Sequence, residues 1–180
     1  MGSARGEIYD ATGKPLVQNT VKQVVSFTRS NKMTAADLKD ISKKLLTYVT
    51  VTSPELTDRQ MADYYLADAE AYKKTVEALP KDKRYDSDGN QLSESELYNN
   101  AANSIAANQM DYSEDEKKAI YLFSQLNSVG NFATGNIQTD PLSDTQVAVI
   151  ASASKELPGI SISTSWDRKV LETSLSSIVG

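Results

Sequence analysis

From Thr34 onward the apolar residues Leu38, Ile41, Leu45, Leu46 and Val49 recur about a helical turn apart, as on a helix with one buried face. Thr34 with Asp37 forms a capping-box pattern at the start, and Ser53-Pro54 closes the segment because the residue before proline disfavours helical backbone. The same grammar repeats downstream. Thr57 starts a helix through Met61, Tyr64, Tyr65 and Leu66, and Ala69 to Leu79 places Tyr72, Val76 and Leu79 on one face before Pro80. Ser93 with Glu96 opens a helix through Leu97, and Ser113 with Glu116 opens another carrying Ile120, Leu122, Phe123 and Leu126. That one stops across Asn127 to Gly130, where Gly130 is expected in the left-handed C-terminal position. Ser143, Asp144 and Gln146 begin a last helix over Val147, Ile150 and Ala151, ended by Pro158-Gly159.

Extended patterns flank this helical block. Ile8 and Leu16 can face one core across a reversal supplied by Asp10 and Gly13, and Val21 to Thr28 is rich in β-branched and aromatic residues. Asn131 to Pro141 holds turn sites at Gly135 and Asp140-Pro141 around a short extended piece. Ile160 to Ser165 alternates apolar and polar as a strand does, after which Val170, Leu171, Leu175 and Ile178 predict a helix over Trp166 to Val179. The pattern predicts an α+β fold: a small β base over residues 5–30, a large helical insertion or head over 31–158, and a return strand and helix over 159–180. Met1 to Ala4 reads as an expression scar.

Composition narrows the chemistry. The 180 residues carry 19 Lys+Arg against 24 Asp+Glu, a net charge of -5, with no dense basic run, so nucleic-acid binding is not expected. With no histidine and no cysteine, every Ser-His-Asp or Cys-His arrangement, every disulfide and the common zinc ligand sets are excluded. No run of about 18 apolar residues marks a membrane span or signal peptide.

Several local motifs invite specific chemistry and fail on their own terms. Asp86-Ser87-Asp88-Gly89 has a calcium-loop look, but with Gly89 at the sixth position Arg84 and Ser95 fall where acidic ligands are needed, so a solvated turn is expected. Ser152-Ala153-Ser154-Lys155 matches a Ser-x-x-Lys nucleophile signature, yet no Ser-x-Asn occurs and Lys74-Thr75 is followed by Val76, not glycine. Gly130 to Gly135 has the glycine spacing of a phosphate loop but is followed by Asn136 where lysine is required. Glu94 with Glu96, and Asp115 with Glu116, sit at helix starts, where capping accounts for them better than acid-base catalysis. Tyr64, Tyr65, Tyr72, Tyr98, Tyr112 and Tyr121 lie on or beside helices, as core or rim, with an exposed subset the alternative as a protein-binding patch.

The opening Arg5-Gly6-Glu7-Ile8-Tyr9-Asp10-Ala11-Thr12-Gly13-Lys14-Pro15-Leu16 resembles the N-terminal motif of class B penicillin-binding proteins, departing from it at Ala11 and Val17. Gly159 to Val170, running on to Ile178-Val179-Gly180, resembles the family's second N-terminal motif, an extended segment leading into an Arg-x-Tyr-Pro turn and a helix. Arg168 aligns with that arginine, and Lys169-Val170 replaces Tyr-Pro. The resemblance implies a truncated, non-catalytic pedestal of a peptidoglycan transpeptidase that acts in cell-wall elongation. The parent would be anchored on the outer face of the cell membrane by an N-terminal helix that the chain lacks. It carries over Arg5, Gly6, Asp10, Gly13 and Arg168 as structural motif residues, with no catalytic residue, metal or cofactor. The implied partners are the parent's own transpeptidase domain, a glycosyltransferase of the shape, elongation, division and sporulation (SEDS) family and an MreC-type coiled-coil scaffold. A truncated base is expected to expose strand edges, with Val21 to Thr28 the least satisfied. The alternative is an extracytoplasmic helical wall hydrolase using paired carboxylates.

Overall fold

The computed structural model describes residues 6, 8–9, 11–13, 15–52, 54–106 and 109–170. In chain order these form β1 (Ile8–Tyr9), β2 (Pro15–Thr28), α1 (Ala35–Leu45), α2 (Asp58–Leu66), α3 (Ala69–Ala78), α4 (Glu94–Ser104), α5 (Glu114–Ser128), β3 (Thr134–Ile137), α6 (Asp144–Ser152) and β4 (Ile160–Val170). The mixed fold expected from the sequence is present, with the sheet drawn from both flanks of the helical block and from β3 within it.

The helices begin where the side chains satisfy the first free amides. Capping boxes open α1, α2, α4, α5 and α6, with Thr34, Thr57, Ser93, Ser113 and Ser143 accepting from the third helical amide. Asp68 caps α3 by accepting from the Ala71 amide. Each apolar face then finds a partner. Leu38, Ile41 and Leu45 of α1 pack with Ile120, Leu122, Phe123 and Leu126 of α5 and with Val25, Phe27 and Ile160 of the sheet in one main core. A second, smaller core joins Ala62 and Leu66 of α2 to Leu79, Ala101, Ala102 and Ile105. Because Tyr64 of the same helix and Ala67 at its C-terminal cap belong to the main core, α2 ties the two together.

Strand β2 is the spine of the sheet. It pairs antiparallel with β4 from Val17↔Val170 to Phe27↔Ile160, with β1 at Ile8↔Val17, and with β3 from Val25↔Ile137 to Thr28↔Thr134. The expectation that Val21 to Thr28 would be poorly paired is therefore corrected. The whole stretch lies against β4, and its last four residues lie against β3 as well.

Three further local expectations change. Trp166 to Val170 is strand rather than helix, because Val17 to Val21 of β2 pairs with it residue for residue; Leu171 to Val179 lies outside the described residues. Gly135 sits inside β3 opposite Phe27, where an added Cβ would meet the Val129 side chain at 2.9 Å, rather than in a turn. Gly130 is not left-handed, and Phe132 takes that backbone instead at φ 62°.

Candidate functional site

Of the five motif residues, Gly6 is exposed ahead of β1, and Gly13, at φ +81°, lies in the reversal between β1 and β2. Arg168 occupies a β4 position opposite Asn19, so it belongs to a strand and not to the turn that the motif implied. Arg5 and Asp10 lie outside the described residues.

The candidate chemical motifs resolve into structural roles. Ser152 sits in the last turn of α6 and its hydroxyl donates to the Ala148 carbonyl, 2.9 Å away, the local back-bonding common for a helical serine. Asp86 accepts from the Asp88 and Asn90 amides at 2.9 and 2.8 Å, closing the polar turn on itself. Among the described residues no group of three or more acidic side chains is arranged to hold a metal ion. The Glu96 carboxylate accepts from the Ser93 amide and hydroxyl at 3.0 and 2.6 Å, and Glu116 accepts from the corresponding Ser113 groups at 2.9 and 2.8 Å.

These caps make stability depend on acid. The hydrogen bonds from Thr34, Ser93 and Ser113 hold the Asp37, Glu96 and Glu116 carboxyls below their ordinary values of 3.8, 4.5 and 4.5. A depressed carboxyl stabilises the fold fully above its unfolded value and loses that contribution as pH falls through its folded value. The urea midpoint is therefore expected to hold above about pH 5 and to drop on acidification below it. Glu116→Gln, which keeps an accepting oxygen, should narrow the gap between midpoints at pH 7 and pH 3. An unchanged gap would show that the caps are not the acid-sensitive element.

The tyrosines are interior or half-buried. Tyr64 is buried edge-on against Phe123 and Tyr112, at ring separations of 5.4 and 5.7 Å, with the Lys39 ammonium 4.2 Å above its ring centre. Burial pushes the Tyr64 phenol up to about 12 and the Lys39 ammonium down. Tyr98 donates to Asp63, which also receives Arg59, binding α4 to α2. Tyr65, Tyr72, Tyr98, Tyr112 and Tyr121 are half-buried, so an exposed tyrosine patch does not form.

Exposed apolar surface lies on the sheet instead. The β2–β4 register runs without a bulge, so Val21 and Trp166 are directly opposed and share a face with the core pairs Val25/Ile162 and Phe27/Ile160, of which Ile162 is half-buried. Helices α1 and α5 cover that face at the Phe27 end, whereas Val21 and Trp166 stand 51% and 46% exposed beyond it. On the other face the Lys22 ammonium meets Asp167 at 2.6 Å across the strands.

An open groove of about 520 Å³ runs along Val21 to Val24 of β2, walled by Gln138 to Asp140, Asp144 and Val147. It exists because β3 stops early. After Ile137 the Gln138 amide donates to the Gln125 side chain at 2.6 Å and the Gln138 carbonyl accepts from it at 3.1 Å, so one glutamine of α5 replaces a strand neighbour. The Asp140 amide then donates to the Thr50 carbonyl, carrying the chain off the sheet. Sequence reading marks Asp140-Pro141 as a turn but cannot see this groove, since its opposite wall is more than 100 residues away.

The family model for the penicillin-binding protein dimerisation domain matches residues 1–180. The chain is 79% identical over 178 residues to penicillin-binding protein 2B of Streptococcus pneumoniae, an alignment covering 99% of this chain and 26% of that protein. It is 25% identical to penicillin-binding protein 2A of Bacillus subtilis over 98% of its length and 25% of that protein. The solved structure of penicillin-binding protein 2B from Streptococcus pneumoniae strain 5204 superposes with a TM-score of 0.79 at 74% identity, covering all of this chain and 28% of the other. The chain thus spans about a quarter of the length of the relatives it matches.

Proposed function

Because this chain belongs to the penicillin-binding protein dimerisation-domain family, we propose that it is the non-catalytic pedestal of a cell-wall transpeptidase active in elongation. It positions the catalytic domain on the outer face of the membrane and docks elongation-complex proteins. The observation that carries the reading is the β2–β4 ribbon. Ten residues of unbroken pairing separate Val17, beside which the chain enters the sheet, from Phe27, where the helical head packs. At the rise of a strand this is a stiff spacer about 33 Å long. A two-stranded ribbon alone is marginal in water. Here one end is pinned by the main core, so the element resists bending and can set a distance.

Further support comes from what the side chains are engaged in. The Ser152 hydroxyl is bonded within its own helix, and one carboxylate of each acidic pair, Glu96 and Glu116, is committed to a cap. On this reading Arg5, Gly6, Asp10, Gly13 and Arg168 shape the entry and exit of the ribbon. The partners are the parent's transpeptidase domain, a SEDS-family glycosyltransferase and an MreC-type scaffold. Fluorescent penicillin is expected to leave this chain unlabelled, purified peptidoglycan should remain uncleaved, and a soluble MreC-type ectodomain should bind it. Release of wall fragments by the purified chain would sink the reading.

A further inference from the structure

We propose that Phe132, carried on the two interlocked turns at residues 29–33 and 130–133, is the anchor by which this chain grips a partner protein, and that the partner offers an apolar pocket rimmed with carboxylates. The proposal rests on the reading of the chain as a docking module and assigns that role a residue and a chemistry. The first support is a conflict between residue and backbone. The Ala133 amide donates to the Gly130 carbonyl at 3.0 Å, closing a four-residue turn whose third position is Phe132 at φ 62°. Glycine or asparagine suits that position, and a bulky side chain there is strained. Asn131 stands one place too early to relieve it. Phe132 is also 76% exposed, the most exposed large apolar side chain among the described residues. It gives the fold neither a relaxed turn nor much buried area, and strained residues of this kind cluster at ligand clamps.

The second support is rigidity. The Phe132 amide donates to the Arg29 carbonyl at 2.9 Å, and the Arg29 amide donates to the Ala133 carbonyl at 3.0 Å. The Arg29 guanidinium ties down the Asn127 and Val129 carbonyls, and the Met33 amide closes the other turn on the Ser30 carbonyl at 3.1 Å. An aromatic ring held out from a fixed backbone gives up little freedom on binding.

Charge selects the occupant. The chain carries -5 overall, yet residues 28–36 and 117–139 contain no Asp or Glu. Arg29 and exposed Lys32 are the charges of the two turns, and among the described residues neither joins an ion pair. An aromatic ring beside two cations is complementary to an apolar pocket with an acidic rim, and Phe and Arg are both enriched in protein interfaces. A bilayer fits poorly, because anionic headgroups repel a chain of net charge -5.

The test is titration of the chain and its variants with a soluble MreC-type ectodomain, with urea unfolding of each variant alongside. Phe132→Gly is expected to weaken binding at least tenfold while its urea midpoint holds or rises, since glycine relaxes the turn. Phe132→Trp should bind within threefold of the parent sequence. Lys32→Glu should weaken binding at least threefold, more so at low salt. Val149→Ala, which trims an exposed side chain of α6, should leave binding unchanged. A clear fall in the Phe132→Gly midpoint would show that the ring serves the fold and would overturn the proposal. So would Phe132-dependent self-association, or Phe132-dependent binding to anionic vesicles or to the parent's transpeptidase domain in place of the ectodomain. If the ectodomain binds the unaltered chain and Phe132→Gly alike, the anchor is wrong and the docking role stands. If it does not bind the unaltered chain, the docking role falls too.

Discussion

Gly159→Ala is expected to cost about 3 kcal/mol or more of unfolding free energy, the largest loss among glycine-to-alanine changes at the described residues. Gly159 connects the turn after α6 to β4 at φ +78°, a region that costs an L-residue roughly 1–2 kcal/mol. Space is the larger obstacle. A Cβ there would sit 2.4 Å from the Thr28 carbonyl oxygen and 3.0 Å from the Phe27 ring. Neither neighbour can yield. The Thr28 amide donates to the Gly159 carbonyl at 2.9 Å, and Phe27 is fully buried in the main core. Relief would have to separate the start of β4 from the end of β2, where the head meets the ribbon. Gly89→Ala is the control: its φ is +84°, but nothing lies within 4 Å of the added carbon. It should lose only the backbone term. Urea unfolding of both variants checks this, and equal losses would show that crowding at Thr28 contributes nothing.

Phe123→Ala should lose about 3–5 kcal/mol, or roughly 6–20 °C of melting temperature for a chain of this size. Phe123 is fully buried in the middle of α5 and meets the Tyr64 ring edge-on, so truncation opens a cavity at the junction of α1, α2 and α5. The Lys39 ammonium is half-buried over the same Tyr64 ring and donates to the Tyr64 carbonyl at 3.2 Å, so a loosened ring also loosens that cation. Phe123→Leu keeps most of the volume and should cost under about 2 kcal/mol. Calorimetry of the pair measures the difference. A Phe123→Ala loss no larger than that of Phe123→Leu would place the centre of the core elsewhere.

Helix positions were legible because their signals are local. A serine or threonine that caps, an acid or amide three residues on, and apolar residues a turn apart specify α1, α2, α4, α5 and α6 without reference to the rest of the chain. The strand over Val21 to Thr28 was legible from its β-branched residues, and the family from the Arg5 to Leu16 motif. The candidate groove was not legible. Its floor is β2, its wall follows β3, and the gap between them depends on two registers and on Gln125 reaching across from α5.

The two C-terminal corrections have the same origin. Apolar residues from Val170 to Ile178 repeat at helical spacing, but Trp166 to Val170 is held extended by pairing with Val17 to Val21, a partner about 150 residues away. At the end of α5 the expected glycine cap is replaced from a distance. The Arg29 guanidinium donates to the Asn127 and Val129 carbonyls, each at 3.1 Å, and the Arg29 carbonyl accepts from the Phe132 amide at 2.9 Å. The sequence by itself determined where helices start, which chemistries are excluded and which family the chain resembles, because each rests on neighbouring residues or on residue types. Tertiary pairing alone fixed how long the strands run and which residues face one another across the sheet. Those follow from hydrogen bonds between segments that meet only after the helical block has folded between them.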